Sequence, residues 1–459
     1  MISVQNLLQL LNGSKKLQRG CVAASLLLLS AFAECVFASS GIHLLFSDTI
    51  PVSVKAGTSQ LRVDTVAWRD VTDQVPPISD EIIADRNSSG DVGRKKNYGV
   101  QFLIPFGASS LTEPASSRFV HFYAGVLLAI DLLKDEGISL NVRISDVGEK
   151  DAAWKNNISG IFKDNPEVVV GPLERDDIKL MMDSCRYRKA TLISPWYSFT
   201  KLPEENPYYI QLKPNLRAHF ARMVEETTSR YQKGEVVIVG RKNKDTESWI
   251  QYFQDKAFGI TGSENFYNVY YAHIDSISKG PTAFHRLFRN PDIKSIVLPN
   301  FSFSDEQWLY NVVRRLAAEK PLNPMTVYGM PVLYESELIE ADILSALNMC
   351  IVTAEFVDDY DEGVKNFKRL YLETYGEIPV ADAIRGYDLM VFIGRNLSRY
   401  GPHFQMALGN KAFYGLQSTF ILQGPGSDKS ITAKSTDVPL FYDNSFLELI
   451  RFENNRWTR

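Results

Sequence analysis

Apolar residues along this chain recur in two rhythms, and the clearest sample runs from Asn165 to Leu202. Val168–Val170 is a short β-branched run bounded by Pro166 and by Gly171-Pro172, which predicts a strand. Ile178, Met181 and Met182 then fall on one side of a helix of about three turns. Ala190–Ser194 predicts a second strand, running into Pro195-Trp196-Tyr197-Ser198. Strand, helix and strand at this spacing form half of a doubly wound α/β unit. In such sheets the loops beyond the carboxyl ends of the strands form the ligand crevice. Gly171–Glu174 and Pro195–Ser198 are therefore candidate site loops.

The same alternation extends in both directions. Tyr98–Phe106 is a nearly continuous apolar run, as a strand buried on both faces requires. A serine-rich loop from Gly107 to Ser117 contains Ser109, a further candidate contact. Phe119, Phe122, Tyr123, Val126, Leu127, Ile130 and Leu133 follow at helical spacing. Leu140–Ser145 predicts the next strand, and Asp151–Phe162 a helix. The result is a parallel sheet with helices on both faces. The pattern then restarts. Strands are expected at Tyr208–Lys213, Glu235–Gly240, Phe266–Tyr271, Ser295–Leu298 and Met325–Gly329. Helices are expected at Leu216–Tyr231, from the loop Arg241–Asp245 through Phe258, at Thr282–Arg289 and at Asp305–Leu316. The halves share architecture without sequence identity, which predicts two facing α/β lobes.

Composition narrows the function classes. The 459 residues suffice for two or three domains. A net charge of -4 gives no reason to expect nucleic acid or an anionic membrane surface as partner. Residues 1–38 read as an export signal: Lys15, Lys16 and Arg19, then the short apolar core Val22–Ala33, then Val36-Phe37-Ala38. The expected location is periplasmic, with no membrane span once the signal is removed. Cys35 lies just past the apolar core and offers lipid anchoring as the alternative, although Glu34 is a poor fit before a lipidated cysteine. Residues 39–97 have linker composition, with Pro76-Pro77, Asn87-Ser88-Ser89-Gly90 and Arg94-Lys95-Lys96, and are expected to be partly disordered. Within them Leu61–Val66 predicts one short strand. Cys185 and Cys350 remain after export; they fall on different lobes and are expected as unpaired, buried thiols.

No catalytic grouping emerges. The histidines show no HExxH spacing and none adjoins a cysteine pair, so no metal is expected. There is no GxSxG elbow and no P-loop, and Gly424-Pro425-Gly426 is a turn. No catalytic residue and no cofactor is expected.

Several ordered stretches resemble a known family. They are FVHFYAGVLLAIDLL at 119–133, VVVGP at 168–172 with ATLISPWYSF at 190–199, FKRLYLETYGEIPVADAIRGYDLMVFIGRNL at 367–397, AFYGLQSTFIL at 412–422 and NSFLELIRFENNRW at 444–457. Together they resemble the type I periplasmic solute-binding proteins, in particular the branch that binds leucine, isoleucine and valine. The resemblance implies two doubly wound lobes joined by hinge crossovers. Lobe one would be 98–216 plus 356–421, and lobe two 217–355 plus 422–459. It also implies a ligand held between the lobes and closure by a hinge motion. In amino-acid binders of this family the helix after the VVGP-like turn opens with a small hydroxyl residue and holds a carboxylate. Here Leu173, Glu174, Arg175 and Asp176 stand there, and Glu174 and Asp176 repel an anion. A polar or cationic ligand is therefore expected over a free acidic amino acid.

The candidate contacts are Ser109, Gly171, Glu174, Ser194, Trp196, Tyr197 and Ser198 on the first lobe and Asn243, Asn300 and Phe301 on the second. Trp196 and Tyr197 offer aromatic faces for stacking, or else cover the cleft floor. Asn243 and Asn300 are equally suited to capping or loop formation. Three classes of function remain: a solute-binding protein serving a transporter or sensor, an interaction module of the cell envelope like the outer-membrane activators of peptidoglycan synthases, and an enzyme.

Overall fold

The computed structural model describes residues 68–69, 97–107, 114–148, 153–200, 202, 205–272, 277, 283–322, 324–409, 411–425 and 440–459. The expected export signal, Cys35, Leu61–Val66, nearly all of the 39–97 extension and Ser109 lie outside the described residues.

Strands numbered in chain order form two sheets. The first takes Trp68–Arg69 (β1), Tyr98–Ile104 (β2), Leu140–Asp146 (β3), Val168–Val170 (β4), Thr191–Ser194 (β5) and Tyr209–Gln211 (β6). Ala412–Tyr414 (β12), Thr419–Gln423 (β13) and Tyr442–Asn444 (β14) complete its nine strands, ordered β1-β12-β13-β14-β6-β5-β4-β2-β3. The second takes Val236–Gly240 (β7), Asn268–Tyr271 (β8), Ser295–Val297 (β9), Thr326–Gly329 (β10), Cys350–Thr353 (β11), Glu448–Glu453 (β15) and Arg456–Thr458 (β16). Its order is β16-β15-β11-β10-β9-β7-β8. The architecture is thus mixed α/β with two parallel-dominated sheets.

Alternation along β2 explains the first lobe's layers. Phe102 joins a core with Phe122 and Val126 of helix α1 (Pro114–Asp135), while Leu103 points to the other face and meets Ile178 and Met181 of α2 (Arg175–Arg188). In the second lobe one core fills the space between the sheet and α3 (Leu216–Arg230), α4 (Lys244–Thr261) and α5 (Glu306–Glu319). Two more helices, α6 (Glu362–Tyr375) and α7 (Ala381–Tyr400), return to the first lobe's core. There α1 and α7 cross in backbone contact. A Cβ on Gly125 would overlap the Ala383 carbonyl oxygen, and one on Gly386 would overlap that of Phe122.

The chain passes between sheets three times: from β6 to α3, from β11 to α6 and from β14 to β15. Residues 422–459, expected in the second lobe, divide between the two. Leu422 and Gln423 pair with Asn444 and Asp443, and Tyr442 pairs with Ile210, all in the first sheet. The second sheet is entered only at Glu448, because the return strand fills the slot between β13 and β6 before crossing. Trp68–Arg69 also departs from a linker role, pairing with Phe413 and Ala412. Two expected helices shrink. Residues 151–162 give a 3-10 turn at Ala153–Asn157 and a short helix at Ile158–Ile161, and Leu287–Arg289 is a 3-10 turn. Cys185 and Cys350 are free and buried.

Candidate functional site

The first lobe's candidate loops pack tightly on each other. Gly171 holds φ +88°, a backbone region that a side chain disfavours, and a Cβ there would overlap the Leu103 carbonyl oxygen. Ser194 Oγ donates to the Tyr197 carbonyl oxygen at 3.1 Å, so this hydroxyl closes its own loop. Trp196 is 9% exposed and lies edge-on to Phe119 and Phe122, with ring centroids 5.2 and 5.1 Å away. The indole is a wedge beneath the loop, and its N–H has no partner among the described residues. Tyr197 stands edge-on to Phe199 at 4.8 Å. Ser198 is half-buried, and its hydroxyl has no partner among the described residues. Glu174 occupies the cap position of α2 without accepting a capping bond, and it is exposed. Asp177, one turn later, is paired with Lys155.

The second lobe's candidates are committed to local structure. Asn243 caps α4, its Oδ1 accepting from the Thr246 amide at 2.8 Å. Asn300 is buried and donates Nδ2 to Asp305 at 2.9 Å. Asp305 also pairs with Arg241 at 2.8 Å, and that guanidinium lies over the Trp308 ring. The loops after β7 and β9 are thereby tied together. Phe301 remains exposed, edge-on to Trp249 at 5.4 Å.

A charged network that the sequence pattern did not reveal joins the lobes. Glu355 lies just past the carboxyl end of β11, and it bridges Ser418 of the first lobe through its backbone. Arg385, in the second turn of α7, donates to both Glu355 oxygens, from Nε at 3.0 and 3.1 Å and from Nη2 at 2.6 Å. Arg385 also meets Asp382, which accepts from Arg118 Nη2 at 3.1 Å. Gln417 Nε2 donates to Glu355 at 3.0 Å. Burial opposes ionisation of Glu355, but Arg385 and Gln417 outweigh it and hold the carboxyl below its usual range. Glu335 follows β10, at the end of the short helix Pro331–Glu335, and has no ion pair within 4.0 Å among the described residues. The residue is exposed, yet partial loss of water around its carboxyl pushes its pKa up; Arg385 pulls it down, Glu355 pushes it further up, and Lys213 and Arg118 pull it down. Arg118, Lys213 and Arg385 belong to the first lobe and its crossover, so Glu335 lies on the side of the second lobe nearest to them.

The crossovers are pinned by buried carboxyl and amide groups. Asp443 accepts from Gln211 Nε2 at 3.0 Å and Asn215 Nδ2 at 2.9 Å. Asn444 donates to the carbonyls of Leu212 at 3.1 Å and Thr419 at 3.0 Å. Asp388 accepts from the amides of Leu416, Gln417 and Ser418 at 2.8, 2.9 and 2.9 Å. Burial nevertheless pushes Asp388 and Asp443 up to about 7.

The rule that strand ends build the crevice applies to Glu355 as well. Cys350–Thr353 carries no clear strand signal, because a four-residue apolar run does not distinguish strand from helix. Arg385 gave no sequence signal, since its partner is set by the fold. Among the described residues, no group of three or more His, Cys, Asp or Glu side chains is placed to hold a metal ion. No described helix is long and apolar enough to cross a membrane.

Solved structures share this architecture. A Rhodospirillum rubrum protein assigned to branched-chain amino acid ABC transport is similar at 16% identity with a TM-score of 0.57, over 79% of this chain and 98% of that one. An ABC transporter substrate-binding protein from Desulfitobacterium hafniense, in complex with Leu, is similar at 14% identity and a TM-score of 0.51, over 79% and 99%. The C-domain of LpoA from Haemophilus influenzae, a regulator of PBP1A, is similar at 10% identity and a TM-score of 0.50, over 78% and 99%. No protein-family model and no curated protein sequence matches the chain. At these identities the likeness establishes the fold, the two-lobed type I periplasmic-binding-protein fold.

Proposed function

We propose that this chain is an exported solute-binding protein that captures a small polar or cationic ligand between its lobes for a transporter or sensor. One observation carries the reading. The Arg385–Glu355 fork ties the loop after β11 to the start of α7, and Glu335 stands near it as an exposed carboxylate without an ion pair among the described residues. An exposed carboxylate without an ion pair favours a cationic or hydrogen-bond-donating ligand. Ser198 offers a first-lobe hydroxyl without a partner among the described residues, and Glu174 adds a second uncommitted carboxylate. Trp196, Asn243 and Asn300 then support the loops that carry the contacts. We assign no catalytic role. The mature chain would begin near Ser39 and reside in the periplasm, which amino-terminal sequencing of the exported protein tests; a lipidated Cys35 is the competing outcome.

A second reading has its own support. The Arg241–Asp305–Asn300 tie fills the second lobe's loops internally, and the LpoA C-domain shares the fold. On that reading the chain contacts an envelope protein. Calorimetry on ligand-stripped protein separates the two, using basic and neutral amino acids, a polyamine and sugars. The first reading expects one of these to bind, and Glu335→Gln to weaken that binding by about tenfold or more. No binding across the panel, together with recovery of an envelope protein by the intact chain, supports the second reading and overturns the first.

A further inference from the structure

The second lobe contains a cavity at the edge of its sheet opposite the crevice. Its volume is about 230 Å³, and Arg230 and Arg451 line it together with Thr326, Asn348, Phe452 and Glu453. Thr326 opens β10, Asn348 precedes β11, and Glu453 ends β15, which runs antiparallel to β11. These are the amino-terminal ends of the parallel strands. A four-residue strand spans roughly 13 Å, so the cavity is a strand's length from the crevice.

The charges around it are unevenly matched. Glu226 is buried and serves three guanidiniums: Arg230 in close contact, Arg451 at 3.5 Å and Arg222 at 3.7 Å. Nε of Arg230 makes that close contact with Glu226, and Arg230 also lines the cavity. The Arg230 and Arg451 side chains are 48% and 39% exposed, so both retain donors for a ligand. Glu453 adds a carboxylate at the rim. Three guanidiniums against the carboxylates of Glu226 and Glu453 leave one positive charge.

We propose that this cavity binds a small monocarboxylate between Arg230 and Arg451. Planar guanidinium donors match the two oxygens of a carboxylate, and partial desolvation strengthens the pairing. A single surplus charge suits a monoanion, and Glu453 disfavours a dianion such as phosphate. Phe452 gives the ligand's carbon an apolar wall. The site stands independently of the crevice.

The test is a titration of the full chain with acetate, read from the arginine side-chain N–H resonances. Acetate should shift Arg230 and Arg451 in a saturable way. Arg230→Gln and Arg451→Gln should each weaken binding by about tenfold or more. Glu453→Gln should tighten it and admit inorganic phosphate, whereas Glu335→Gln in the crevice should leave it unchanged. Arg451→Lys keeps the charge without the fork and should give an intermediate affinity, which keeps the test usable if a glutamine variant misfolds. The proposal is overturned if acetate moves neither arginine, if wild type prefers phosphate, or if binding follows Glu335 instead of the arginines.

Discussion

Trp196 is expected either to stack on a ligand or to cover the cleft floor, and its contacts are with Phe119 and Phe122. Its buried N–H has no partner among the described residues, so a phenyl ring in its place forfeits volume and no hydrogen bond there. Trp196→Phe should lower stability by about 1 kcal/mol in urea unfolding and leave ligand affinity within about twofold. A tenfold loss of affinity with unchanged stability would return the ring to the binding surface. His219 is a second buried side chain with a measurable consequence. Its ring Nδ1 meets the Asn215 carbonyl oxygen at 3.1 Å, and burial pushes its pKa down to about 4, against that bond. The unfolded chain takes up this proton near pH 6.5 and the folded chain only near 4. The stability linked to His219 is therefore intact above pH 6.5 and lost as pH falls to 4, by roughly 3 kcal/mol at most. His219→Gln should flatten that part of the stability–pH curve. If both proteins lose stability in parallel between those pH values, His219 is not the group responsible.

At the scale of elements, the crossing of α1 and α7 is the tightest junction in the first lobe. The apolar spacing from Phe119 to Leu133 foretold α1 and its buried stripe. It did not foretell that Gly125 and Gly386 sit where each helix meets the other's carbonyl oxygen. A missing side chain has no periodic signature, and only the crossing gives it meaning. Gly125→Ala should separate the helices and cost about 3 kcal/mol, read as a lower urea midpoint with an unchanged slope. A midpoint equal to wild type would mean that the junction yields freely. The loops at the strand ends show the same limit. Their positions followed from the strands, but Asn243 and Asn300 were consumed by a cap and by Asp305.

At the scale of the molecule, three crossovers and the Arg385–Glu355 fork connect the lobes among the described residues. Arg385→Met would leave Glu355, 31% exposed at its side chain, with Gln417 as its remaining partner. The expected cost is about 2 kcal/mol, since partial exposure limits the penalty of an unpaired charge. Because the fork joins the lobes, its loss should also shift the population toward wider separation. Small-angle scattering of ligand-free protein should show a larger radius of gyration for the variant, and saturating ligand should reduce the difference. Identical scattering curves would mean that the crossovers alone set the lobe angle.

What the sequence by itself determined was the pair of α/β lobes, most strand positions and the loops at the carboxyl ends of those strands. Those properties follow from local periodicity, because a strand or helix buries its own neighbours in the chain. What only the tertiary structure decided was which loop side chains are spent within a lobe and which are left for a ligand. Gln211 meets Asp443 across 232 positions, and Arg385 meets Glu355 from the other lobe. Contacts of that kind have no spacing rule, so the crevice's charges became legible only once the folded chain brought them together.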